Sequence, residues 1–147
     1  MTTDDERRTR MGLLAKAPPK QLARLWSDYG YEPAYAWLRA PESGGIMVRG
    51  RTGATGAPFN LGEMTVTRCS LRLDGGEVGH AYVQGRDKGH ATRAALIDAL
   101  MQTTRAETLR AAILDPLAEA LEAARAARAA KAAATRVDFF TMARGED

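Results

Sequence analysis

The stretch from Met64 to Met101 leaves this chain few choices of fold. Met64 to Leu73 alternates its side chains as a two-faced strand does, and Val78 to Gln84 alternates again. Between them Asp74-Gly75-Gly76 supplies a tight turn. Strands joined so closely are antiparallel, because parallel neighbours need a crossover of about a dozen residues. Gly85-Arg86-Asp87-Lys88 comes next, with Asp87 as the natural N-cap of a small-residue helix. Ala94, Ile97 and Met101 mark one face of that helix, and Ala91, Ala95, Ala99 and Leu100 widen it. A helix apolar around so much of its girth is covered on more than one side. Asp98 sits within this surface, so its carboxylate reaches a partner or turns to solvent.

Upstream, Thr3 and Glu6 have the spacing of a capping box, and a first helix runs from Asp4 to about Lys16. Pro18-Pro19 stops it. Leu22, Leu25, Trp26 and Tyr29 form one apolar face of a second helix, with Gly30 placed as its C′ residue. Met11 and Leu14 match that face, so residues 4–30 read as a helical hairpin that packs on the chain's own sheet or on another chain. Ala34 to Arg39 alternates as a strand, Pro41-Glu42-Ser43-Gly44-Gly45 reads as a turn, and Ile46 to Arg51 as the next strand. Thr52 to Pro58 reads as a loop. The expected fold class is α+β: one domain over 1–147, with an antiparallel sheet of about four strands (34–84). An N-terminal helical hairpin precedes the sheet, and C-terminal helices (87–135) come after it.

After a short helix from Arg105 to Leu114, Asp115-Pro116 is a second start signal. The alanine-rich run beyond it is nearly pure helix former. It is either a solvated surface helix or a methyl-lined face for another subunit. Leu117 and Leu121, its only large apolar residues, are interface candidates. So are Phe139 and Phe140 in the apolar tail 137–142, which reads as an edge strand or a plug for a groove.

Composition excludes several classes. No apolar run approaches the roughly 20 residues that span a bilayer, and the N-terminus lacks the apolar middle of a secretory signal. A cytoplasmic protein without a membrane role is expected. One cysteine, Cys69, leaves no internal disulfide framework, and with two histidines it argues against a protein-only structural zinc site. The net charge of +3 is not gathered in one block, and aromatic residues do not interleave with basic ones, so no nucleic-acid partner is expected. The charge suits a phosphate-rich ligand or an acidic partner.

No Walker A sequence is present, and Gly50, Gly53 and Gly56 match neither that loop nor the dinucleotide fingerprint. Helix N-termini offer free N–H groups to anions, which makes Arg86, Lys88 and His90 candidates for binding phosphate. Asp87 competes for the same donors as a cap. Arg68 and Arg72 share a strand face with Met64, Val66 and Ser70, while His80, Tyr82 and Gln84 share a face of the next strand. Where those faces meet, Arg68 and His80 form a polar patch. Cys69 points the other way, as a small core residue. No catalytic residue and no metal ligand is assigned.

Four segments together resemble the PhnG family: Phe59-Asn60-Leu61-Gly62-Glu63, Thr67-Arg68-Cys69, Gly79-His80-Ala81-Tyr82-Val83 and Gly85-Arg86-Asp87-Lys88. The match is strongest from Gly44 to Gln102 and extends from the first helix to the Val137-Asp138-Phe139-Phe140 tail, with family contacts carrying over least readily to the unusually Ala- and Arg-rich segment 115–136. The resemblance implies a non-catalytic but required subunit of the carbon–phosphorus lyase core complex (alpha-D-ribose 1-methylphosphonate 5-triphosphate synthase), with PhnI, PhnH and PhnJ as partners. The reaction it implies transfers a phosphonate onto the ribose of ATP and releases adenine. ATP, with Mg2+, is then a substrate of the complex, and this chain binds no cofactor of its own. The alternative is a stand-alone phosphate- or nucleotide-binding protein using the 85–90 loop.

Overall fold

A computed structural model describes the backbone of residues 3–51 and 58–145 and the side chains of residues 4–50 and 62–137. The capping-box hydroxyl of Thr3 and the loop read over residues 52–57 lie outside the described residues.

Helices α1 (Thr3–Lys16) and α2 (Pro19–Tyr29) occupy the expected stretches, but the expected hairpin is corrected: each packs on later elements of the chain and not on the other. Gly30 ends α2 at φ 74°, a left-handed conformation that favours glycine, and its N–H donates to the Trp26 carbonyl at 3.4 Å. Leu14, Leu22 and Trp26 join the chain's own core, so both helices pack on its own body.

Among the described residues the sheet has three strands, β1 (Tyr35–Arg51), β2 (Pro58–Leu73) and β3 (Val78–Gln84), antiparallel in the order β1-β2-β3. The expected count of four is corrected here, because Pro41-Glu42-Ser43-Gly44-Gly45 lies within β1 and is not a turn. All of β1 runs alongside β2, from Tyr35 opposite Leu73 to Arg51 opposite Pro58. Between the pairs Arg39–Ser70 and Glu42–Arg68 the register shifts, and the residue that lacks an N–H, Pro41, falls in that irregularity. Ser43 then bonds Thr67, hydroxyl to hydroxyl, at 2.8 Å.

Helix α3 (Lys88–Leu100) lies over β3 and β2. Asp87 caps it, accepting from the His90 N–H at 2.9 Å. The contact with β3 is close because Gly79 has no side chain: a Cβ there would run into the Ala95 carbonyl and sit 2.9 Å from the Ala99 methyl. Ala91, Ala94, Ala95, Leu96, Ile97, Ala99 and Leu100 are all buried, as the girth of apolar residues requires.

The C-terminal region runs through α4 (Ala106–Leu109), a π-helical turn (Arg110–Leu114) and α5 (Asp115–Gly145). Asp115 has helical angles, φ −64° and ψ −47°, so α5 begins where expected but continues from a helix in place of a capped start. The wide turn lies where Pro116 would otherwise press its ring on a carbonyl four residues back. The edge-strand expectation for the apolar tail from Val137 to Met142 is corrected too: the backbone there is part of α5. No glycine or proline lies between Leu117 and Ala143 to stop the helix. At about 1.5 Å per residue α5 is roughly 46 Å long, and every side chain from Leu121 to Val137 is exposed. Among the described residues no helix is long and apolar enough to cross a membrane.

Candidate functional site

One face of the sheet is covered by α3, and the opposite face is open. Strand pairing decides which side chains share the open one. Arg68 stands opposite Tyr82 and Glu42, and Ser70 stands opposite His80 and Arg39. The patch expected from Arg68 and His80 therefore exists, as diagonal neighbours on an exposed surface. Glu42 is the residue that local reading misses. Its Oε1 accepts from Arg39 Nη1 at 2.7 Å and from Arg68 Nε at 3.4 Å, so one carboxylate serves two guanidinium groups. The signal lies only in the pairing, since Glu42 by itself reads as part of a turn. A depression of about 330 Å3 opens beside this pair, lined by Gly44, Ile46, Val66, Arg68 and Tyr82.

The start of α3 separates its three candidates. Arg86 and Lys88 are exposed, while His90 is buried, its Nε2 2.7 Å from the Leu14 carbonyl oxygen. His90 thus ties α3 to the end of α1 and does not face the surface with the other two. Asp87 occupies a donor that an anion would need.

The best-satisfied polar group is Asp98, fully buried on α3. Its carboxylate accepts from Arg7 Nε at 3.3 Å, Arg7 Nη2 at 2.9 Å, Arg10 Nη2 at 2.9 Å and the His80 backbone N–H at 3.0 Å. Arg7 Nη2 also donates to the Val78 carbonyl at 3.1 Å. The cluster clamps α1 across α3 and β3, and the hydrogen bond to Asp98 holds the Arg7 pKa above its ordinary value. It answers the question that Asp98 posed in the sequence: the carboxylate reaches partners within the chain. Arg7 and Arg10, one helical turn apart, were the available hint.

Cys69 is also inward, on the α3 side, and its Sγ donates to the Ala91 carbonyl at 3.3 Å. Burial pushes its pKa up to about 11, so it is a thiol and not a nucleophilic thiolate near neutral pH. Arg105 stacks over the Tyr31 ring at 3.3 Å and pins the segment just beyond α2. Of the interface candidates, Leu117 is corrected: it is 2% exposed and belongs to the chain's own core. Leu121 is exposed. The side chains of Phe139 and Phe140 lie outside the described residues. Among the described residues no three His, Cys, Asp or Glu side chains gather as a metal site.

The family model described as phosphonate metabolism protein PhnG matches residues 5–145. The chain belongs to the PhnG family. A relative from Rhizobium meliloti (strain 1021) is 46% identical over 150 residues, spanning 99% of this chain and 96% of that protein. It is named alpha-D-ribose 1-methylphosphonate 5-triphosphate synthase subunit PhnG. The PhnG match covers nearly all of α1 to α5, including the alanine-rich arm.

Proposed function

We propose that this chain is a required, non-catalytic subunit of a ribose 1-methylphosphonate 5-triphosphate synthase. In that assembly a phosphonate is joined to the ribose of ATP and adenine leaves. PhnI, PhnH and PhnJ are its partner subunits, ATP with Mg2+ is bound by the assembly, and the work is done in the cytoplasm. The observation that carries this reading is the 46% identity to a synthase subunit over nearly the full length of both chains. The chemistry of the described residues agrees with it. The buried carboxylate of Asp98 is held by two arginines, His90 is held by a carbonyl, and Cys69 is protonated in the core. None of the three is left for proton transfer or nucleophilic attack.

The test is co-expression of the tagged chain with the other synthase subunits, followed by calorimetric titration with ATP. The chain alone is expected to bind no ATP and turn over no phosphonate. The complex is expected to do both. Turnover by the chain alone would end this reading. Tight nucleotide binding by the chain alone, lost in Arg86→Ala with Lys88→Ala, would favour the stand-alone anion binder.

A further inference from the structure

Strand β3 ends opposite Val66, where Val66 pairs with Gln84. Past the Gly85 N–H that donates to the Thr65 carbonyl at 2.8 Å, β2 has only β1 beside it among the described residues, so 44–51 and 58–64 form a two-stranded ribbon beyond the end of β3. A two-stranded ribbon is marginal in water unless a third strand or a packed surface supports it. This one is well stocked with apolar side chains. Ile46 pairs with Met64 and Gly44 with Val66 on the open face, and Met47, on the other, is 53% exposed. Where the ribbon joins the sheet, Ile46, Val66 and Tyr82 line the 330 Å3 depression beside Arg68.

Charge adds a second constraint. Residues 35–73 hold Arg39, Arg49, Arg51, Arg68 and Arg72 against Glu42 and Glu63. That excess of three equals the net charge of the entire chain. Pairing puts Arg39, Arg68 and Arg72 on the open face, with Glu42 as the carboxylate among them.

We infer that the open face of β1 and β2 and its ribbon dock an acidic surface of a partner subunit, which seats an apolar side chain in the depression at the ribbon's root. The inference rests on the proposed membership of a multi-subunit synthase and specifies the surface used. Partner carboxylates meet Arg39, Arg68 and Arg72, and the partner's apolar group packs on Ile46, Val66 and Tyr82. A nucleic acid would use the arginines but leave Tyr82 and the part-exposed Ile46 in water, so a protein fits the face better.

The test co-expresses the full chain with the other synthase subunits. It compares wild type with Arg68→Glu/Arg72→Glu and, separately, with Tyr82→Ala, three exposed positions. Thermal melts of each variant check that the fold survives. Backbone hydrogen exchange of residues 44–51 and 58–64 is measured in the lone chain and in the complex. Expected are at least tenfold less complex recovered with the double charge reversal, weaker retention with Tyr82→Ala, and ribbon amides that become at least tenfold slower to exchange on assembly. If wild type assembles and the double variant does so equally well with unchanged ribbon exchange, the inference falls and the subunit reading stands. If wild type does not assemble, both fall. Protection of the ribbon in the lone chain by ATP or by RNA also overturns the inference.

Discussion

Replacing Asp98 with alanine tests the clamp between α1 and the rest of the molecule. The carboxylate is fully buried, and the Arg10 and Arg7 side chains bonded to it are 13% and 34% exposed. Removing one partner of a buried ion pair costs about 3–5 kcal/mol, because the charge left behind stays desolvated. Arg7 can turn to water in this case, so the expected loss lies near the lower end, about 3 kcal/mol. In a chain of this length each kcal/mol moves the melting temperature by about 2–4 °C, which gives a drop of roughly 6–12 °C. Circular dichroism melts of wild type and Asp98→Ala provide the measurement. Replacing the whole cluster, Asp98→Leu with Arg7→Met and Arg10→Met, leaves no orphaned charge and is expected to recover most of the loss. A melting temperature for Asp98→Ala within about 1 °C of wild type would refute the reasoning, as would a triple variant less stable than the single one.

Gly79→Val should unseat α3 from β3, since even a Cβ meets the Ala95 carbonyl; loss of the cooperative melt or a drop beyond 10 °C on the scale of about 3 °C per kcal/mol is expected. Leu117→Ala should cost about 2–5 kcal/mol in urea unfolding, whereas Leu121→Ala on the exposed arm should stay within about 0.5 kcal/mol. The raised pKa of Cys69 favours the folded state while the thiol is protonated. Its contribution is complete below the unfolded value near 9 and is lost as pH rises through about 11. Stability of wild type should therefore fall more steeply over that interval than stability of Cys69→Ala, and identical slopes would count against it. The same thiol should react with iodoacetamide at pH 8 far more slowly in the folded chain than in urea.

Features carried by neighbouring residues were legible in advance. The Asp74-Gly75-Gly76 turn, the cap at Asp87 and the apolar girth of α3 each rest on chemistry within a few positions, and each is where the sequence put it. The features that escaped depend on distant partners. Pro41 to Gly45 carry every local mark of a turn, yet pairing with Thr65 to Arg68 of β2 holds them extended and a register shift takes up the proline. His90 reads equally well as a surface cation beside Lys88 until α1, 76 residues away, brings the Leu14 carbonyl to its ring. Leu117 looks free because α1, which packs against α5, comes from the far end of the chain. On the open face Arg68 and His80 could be placed together from alternation alone. Glu42, which neutralises part of that patch, could not.

The π-helical turn at Arg110–Leu114 holds one more residue than an ordinary turn would. Each residue added to a helix rotates the downstream part by about 100°. The bearing of the whole arm is therefore set by five residues at its root. Deleting one of them would leave the arm's composition intact and swing its alanines and arginines about a quarter of the way around its axis.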